Sequence, residues 1–452
     1  MVDVLDSILM QNNFSTEEIR TVWTDKNKIA KQLQIEAVLS MVEGNLGVIP
    51  ASFARTIVEK AKIKNFDIAT LAKEGANKRH SLIGLINSLQ KLAGPKAGEY
   101  VHFGATTQDI VDTGIMLQTK EAYQILVKHS RNLILVLKKQ TRKYRSTIMI
   151  GRTHGIQAIP TTFGFKLAVW LDEALRNHRR LTDLEKNNIF TGNLNGAVGT
   201  YAAWGKEGPE IERQVLEKLG LDVPNISWQS SRDRFSEIAV VLGIYSGLLG
   251  KIGHELFNLM KTEVDEIREP FKKGEIGSST MPQKRNPALI EGLASLTHPI
   301  FKDVELMLES LLFDGERDAI HWRNEWIVLP EITSYLDAQL KNATYILDNL
   351  YVNEKQMIHN IELQKGLPFA EKIMFNLGKY IGKQTAHRLV YRCAMEAIEK
   401  EKNFVDILFD KEEIKNNFSK KEIISWTNPE RDIGSALEKI DSILKISEKL
   451  NF

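Results

Sequence analysis

One cysteine in 452 residues, Cys393, excludes an internal disulfide and any clustered-Cys zinc site, and it suits a reducing cytoplasm, where the chain is expected to reside. Prolines are few, 12 in all and mostly far apart, so long helices can run without interruption. Neither sign of charge is in excess. Sixty basic residues against 58 acidic leave +2, which argues against a nucleic-acid-coating protein or one held on a membrane by charge. Met1-Val2-Asp3-Val4 has no basic region and no apolar stretch behind it, so no signal peptide is read. The longest charge-free apolar run, Ile238 to Gly250, ends at Lys251, short of the ~20 residues of a membrane span, and reads as a helix buried on all sides. No His-x-x-x-His pair and no Walker or Rossmann glycine fingerprint occurs; no metal and no cofactor is expected.

What is present is a chain with 43% hydrophobic and 26% charged residues, enough apolar material for a large core. Its apolar spacing is helical. Thr24-Asp25 caps a helix that puts Ile29, Leu33, Ala37 and Met41 on one line, and Gly47 and Pro50 stop it. Lys91 to Pro95 reads as a further stop, Phe235 to about Met260 as the buried helix, and Thr385 to Lys400 as an amphipathic one. Strand-like alternation never persists for more than a few residues, and no repeat of twenty to fifty residues is found. The expectation is an all-α protein in three parts, 1–101, 102–351 and 352–452, with a catalytic loop at 274–287.

Four polar junctions interrupt the helices, around His80, Thr106, His154 and Ser278. Gly277-Ser278-Ser279-Thr280-Met281-Pro282-Gln283-Lys284-Arg285-Asn286-Pro287 combines free backbone, hydroxyls, helix-breaking prolines and the donors of Lys284 and Asn286; it reads as an anion-handling loop or as a polar turn. Thr106 and Thr107, ahead of a long helical run, serve as an N-cap or as a carboxylate seat at a helix N-terminus. In Gly151-Arg152-Thr153-His154-Gly155, a glycine-flanked histidine is either a functional group or a surface or packing residue.

The eleven residues from Gly277 match, at every fixed position, the Gly-Ser-Ser-x-Met-Pro-x-Lys-x-Asn-Pro signature of the fumarase/aspartase superfamily. Nearly the whole chain resembles the branch that contains adenylosuccinate lyase and 3-carboxy-cis,cis-muconate cycloisomerase. The resemblance implies a central bundle of long helices and a homotetramer whose active sites each draw on three subunits. It implies Ser278 as the base, with Lys284 and Asn286, helped by Ser279 and Met281, holding the carboxylate-stabilised carbanion. Gly151 to Gly155 matches the segment whose histidine is the general acid, so His154 would protonate the leaving group beside Thr153, while Arg79-His80 matches a pair that positions substrate. Thr106, Thr107 and Gln108 fall in the region that grips the succinyl carboxylates, and Arg317 lies in a retained Glu316-Arg317-Asp318.

The departures concern the leaving group. Where adenylosuccinate lyase has nucleotide-contacting arginines, this chain has Asn13 to Thr16, and its phosphate-binding Ser and Arg are replaced by Trp322 and Trp326. Trp228 stands in place of a Gln. Indole offers one N–H and no charge, so AMP is expected to fit poorly unless Arg20, Arg317 or Arg323 compensates, and Trp228 and Trp322 are expected to line a more apolar pocket. The expected activity is β-elimination of fumarate from an N-succinyl substrate by C–N cleavage, with purine biosynthesis as the pathway if AMP is the leaving group. The alternatives are a lactonising cycloisomerase, against which His154 speaks, and a non-catalytic structural homologue, against which Ser278, Lys284 and Asn286 speak.

Overall fold

The computed structural model describes residues 4–80, 82–272, 274, 280–281 and 283–449. Helix dominates it. The elements used below are α1 (Asp25–Leu46), α2 (Ile68–Lys78), α3 (Ile83–Ala97), α4 (Thr107–Lys143), β1 (Ile148–Thr153), β2 (Ile156–Thr162), α5 (Phe163–Lys186), α6 (Asp233–Met260), α7 (Ala288–Ser295), α8 (Asn324–Asp348) and α9 (Lys383–Glu399). The caps follow the sequence closely: the Thr24 hydroxyl accepts from the Asn27 N–H, and Gly47 closes α1 with φ 76°. Gly94 kinks α3, at φ 85°, rather than ending it, because Pro95 can open a fresh helical turn.

The chain folds as two compact units. The first comprises Met1–Ser130, Asn177–Gly250 and Ser295–Lys341. Leu33, Ile35, Leu39, Ile57, Leu89 and Ile110 are among its fully or almost fully buried residues. The second comprises Arg131–Arg176, Lys251–Ala294 and Asn342–Phe452. Ile150, Ile373, Leu377, Cys393, Phe404 and Leu408 form its core, so the lone thiol is a packing group.

Two expectations need correction. The segment around His154 is a β-hairpin, not an irregular junction: β1 and β2 pair antiparallel, with Thr153 opposite Ile156. His154 and Gly155 form its two-residue turn with φ 54° and 79°, the positive values that tight hairpins require. The signal was a set of β-branched residues on both sides of His-Gly, at Ile148, Ile150, Ile156 and Ile159. The second correction concerns α6, which at 28 residues is long and apolar enough to cross a membrane by length and composition. Phe235, Leu242, Tyr245, Ile252 and Leu256 are nevertheless wholly buried in the protein. The helix is not buried on every side, since Ile244 is 45% exposed.

Candidate active site

In the first unit, the start of α4 gathers five of the expected residues. Asp109, buried and in the first turn, accepts the Thr106 N–H at 2.9 Å, so Thr106 is held by the helix rather than capping it with its hydroxyl. The same carboxylate accepts from the Asn195 and Gly196 amides and from the Gln229 side chain. Burial pushes the Asp109 carboxyl up to about 7 in spite of these four donors.

His80 lies between α2 and α3, and its Nδ1 accepts from the Leu82 and Ile83 N–H groups at 3.3 and 3.1 Å. A neutral imidazole that accepts through Nδ1 carries its proton on Nε2. Nε2 is 3.3 Å from the Thr107 hydroxyl and donates to it.

Arg317 completes the group from 209 positions away: its Nε donates to the Gln108 carbonyl oxygen at 2.9 Å, and Nη2 donates to the Thr106 hydroxyl and the Ala197 carbonyl, each at 3.0 Å. Gln108 can turn only that oxygen toward Arg317, because its NH2 faces two acceptors, Asp112 Oδ2 and the Gln229 carbonyl. Asp112 in turn pairs with the fully buried Arg232, which is also gripped by Glu325 at 2.5 Å through both Nε and Nη2. Burial pushes the Glu325 carboxyl up to about 7, with Arg232 opposing and Asp112 adding to the rise. The exposed guanidinium of Arg317 thus rests on a buried, charged base.

The tryptophans stand elsewhere than expected. Trp228 is 2% exposed, donates to the Gly192 carbonyl at 2.7 Å and has the Arg232 guanidinium 5.0 Å from its ring centroid. Trp322 is 7% exposed and donates to Asp112 Oδ1 at 2.7 Å. Both indole N–H groups are taken up by the protein. Arg20, considered above as a phosphate ligand, donates to the Gln11 and Ser15 carbonyls and to the Ser15 and Asn12 side chains.

In the second unit, the hairpin presents His154 and Thr153 exposed at its tip. Its arm is fixed by Arg152, which forms a two-pronged pair with buried Glu266 at 2.9 and 2.7 Å; Asn360 donates to the same carboxylate at 2.8 Å. Among the described residues, no carboxylate lies within ion-pair reach of His154. Lys284, Asn286 and Met281 are exposed ahead of α7, with the Lys284 N–H on the Met281 carbonyl at 3.0 Å. Ser278 and Ser279 lie outside the described residues.

Sequence reasoning singled out the five residues at the start of α4 but missed their supports, Asp109, Asp112, Gln229 and Glu325, and the Glu266–Asn360 anchor of the hairpin.

An all-α chain of long helices, with a donor-rich helix N-terminus in one unit and a histidine-tipped hairpin in the other, matches a known class. The chain belongs to the fumarase/aspartase superfamily of lyases: the lyase family model matches residues 10–301 and the adenylosuccinate lyase C-terminus model residues 366–443. It is 49% identical to N-acetyl-S-(2-succino)cysteine lyase of Dickeya dadantii, over 98% of each chain. It is 51% identical to the enzyme of that name from Enterococcus italicus, over 98% of this chain and 96% of the other. Adenylosuccinate lyase of Methanocaldococcus jannaschii is 36% identical over 96% and 94%. The solved 3-carboxy-cis,cis-muconate lactonizing enzyme of Pseudomonas putida superposes with a TM-score of 0.91 at 30% identity, covering 97% of this chain and 98% of that one.

Proposed function

We propose that this fumarate-forming lyase cleaves a C–S bond, releasing fumarate and a thiol from an S-(2-succino)cysteine derivative that carries an N-acyl group. The two relatives at 49 and 51% identity are named for that substrate, whereas the adenylosuccinate lyase is at 36%. That moves the expected scissile bond from C–N to C–S. The observation that carries the reading is the tethering of Arg317 to Thr106 and Gln108 at the start of α4: a guanidinium and a helix N-terminus suit a succinyl carboxylate. Arg20, already occupied within its own segment, is poorly placed to hold a nucleotide phosphate.

The reaction balances without an added reactant. Ser278 takes the proton from the carbon next to the one bearing sulfur, electron density passes into the neighbouring carboxylate, the C–S bond breaks and the C=C bond of fumarate forms. The thiolate leaves and is protonated, His154 being the donor. Lys284, Asn286, Ser279 and Met281 close on the developing aci-carboxylate, where one pre-aimed donor is worth about 3 kcal/mol. His80 holds Thr107, and Thr153 flanks His154. A thiol, with a pKa near 8.5, leaves as the anion more readily than an amine does, which lightens the demand on the general acid.

As the resemblance to the superfamily implies, this reading assembles each site from three subunits of a homotetramer. It retains the division into 1–101, 102–351 and 352–452 and places the enzyme in the cytoplasm. The test compares kcat/KM for N-acetyl-S-(2-succino)cysteine, unacylated S-(2-succino)cysteine and adenylosuccinate, with Ser278→Ala as the blank. Preference for the S-adducts is expected; preference for adenylosuccinate would restore C–N cleavage.

A further inference from the structure

A cavity of about 130 Å³ lies between the first turns of α1, one face of α4 and the start of α8. Its α1 wall carries Asp25, Lys28 and Gln32, spaced i, i+3 and i+7 and therefore on one face. Gln32, only 5% exposed, lines the same cavity. The indole N–H of Trp326, on the opposite wall, is buried and has no hydrogen-bond partner among the described residues. The Lys28 ammonium makes no ion pair among the described residues and sits 5.9 Å from the Trp326 ring centroid. Buried donors and acceptors are nearly always satisfied, so a buried indole N–H left open beside an ammonium without an ion pair, in one cavity, points to a polar occupant.

The place of the cavity ties it to the reacting centre. Val111, Ile115 and Gln118 line it from α4, and Thr107 lies one turn before Val111 on that same face. The cavity therefore begins about 6 Å along the helix from the Thr107–His80 pair.

We propose that this cavity binds the leaving half of the substrate, a small group with one carboxylate and one neutral amide, and that Lys28, Gln32 and Trp326 set the specificity. This rests on the C–S reading above. Lys28 supplies the cation for the carboxylate. The Gln32 amide both donates and accepts, which matches a secondary amide, and the Trp326 N–H donates to the acyl carbonyl. Asp25 at the exposed rim repels a second anionic charge, so a phosphate dianion is disfavoured where a single carboxylate is accepted.

Two measurements on the full-length enzyme decide it. Lys28→Met and Gln32→Leu are each expected to raise KM for N-acetyl-S-(2-succino)cysteine roughly tenfold while kcat stays nearly constant, the pattern of lost ground-state binding. Calorimetric titration with N-acetyl-S-methylcysteine, an inert copy of the leaving half, should show binding to the wild type that is weakened to the same degree in both variants. Unchanged KM in a wild type that turns over the S-adduct, or equal titration of wild type and variants, or no binding to the wild type, overturns the assignment. If the wild type ignores every S-succinyl adduct yet binds the probe through Lys28 and Gln32, the cavity assignment stands and the C–S reading falls.

Discussion

Arg317 owes its orientation to chemistry that begins in the core. Arg232 fixes Asp112, Asp112 fixes the amide of Gln108, and Gln108 receives the Arg317 Nε. A lysine at position 317 keeps the charge but cannot donate to Gln108, Thr106 and Ala197 from a rigid fork. Arg317→Lys is therefore expected to lower kcat/KM about 100-fold, a loss of ~2.7 kcal/mol, in a steady-state assay of fumarate release. Retention of the wild-type value would remove Arg317 from the carboxylate seat. Single residues were also the scale at which the sequence misled: indoles at 228 and 322 suggested pocket walls, but the direction a side chain takes depends on what packs over it. Asp112 and Gly192 draw both indoles inward.

Among the elements, α1, α4 and α8 each carry two buried carboxylates: Glu36 and Glu43, Asp109 and Asp112, Glu325 and Asp337. Removing Arg232 by Arg232→Met leaves Asp112 and Glu325 buried without their cation, and the expected cost is about 3–5 kcal/mol, read from the denaturant midpoint. Glu43, on α1, behaves differently. It is fully buried, one oxygen accepts from the Trp204 indole at 2.8 Å, the other has no partner among the described residues, and burial pushes its carboxyl up to about 8. Glu36, already paired with His102 at 2.7 Å, adds to the rise. Since the folded value lies above the ordinary 4.5, the native state holds the proton longer than the unfolded chain does. Its contribution to stability is full below pH 4.5 and falls as the pH rises through about 8. Glu43→Gln should remove that slope, on the order of a few kcal/mol across the window, in thermal unfolding followed between pH 5 and 8. An unaltered slope would show that Glu43 does not titrate there.

The helices and their caps were readable because Thr24, Gly47 and the apolar spacing act within a turn or two of chain. The β-hairpin was missed, since its pairing sets Ile148 against Thr162 across the turn and its local marks, β-branched residues on both sides of His-Gly, are short beside the helical pattern around them.

For the whole molecule, the sequence disclosed the superfamily through eleven consecutive residues, yet not the leaving group. The cavity assigned to it is built from residues 23–32, 111–118 and 326–330, segments that meet only through folding. If sites are assembled from several subunits, Ser278→Ala and His154→Gln enzymes, each inactive alone, should regain part of the activity when mixed and allowed to exchange subunits. Failure to regain any, with exchange verified, would place the whole site within one chain.

The most direct test of C–S elimination is stoichiometric. Purified enzyme is supplied with N-acetyl-S-(2-succino)cysteine while fumarate is followed by its ultraviolet absorbance and free thiol by titration in the same sample. The expected result is one thiol for each fumarate, abolished by Ser278→Ala. Neither product from this substrate, with fumarate released instead from adenylosuccinate, would contradict the assignment and return the enzyme to C–N chemistry.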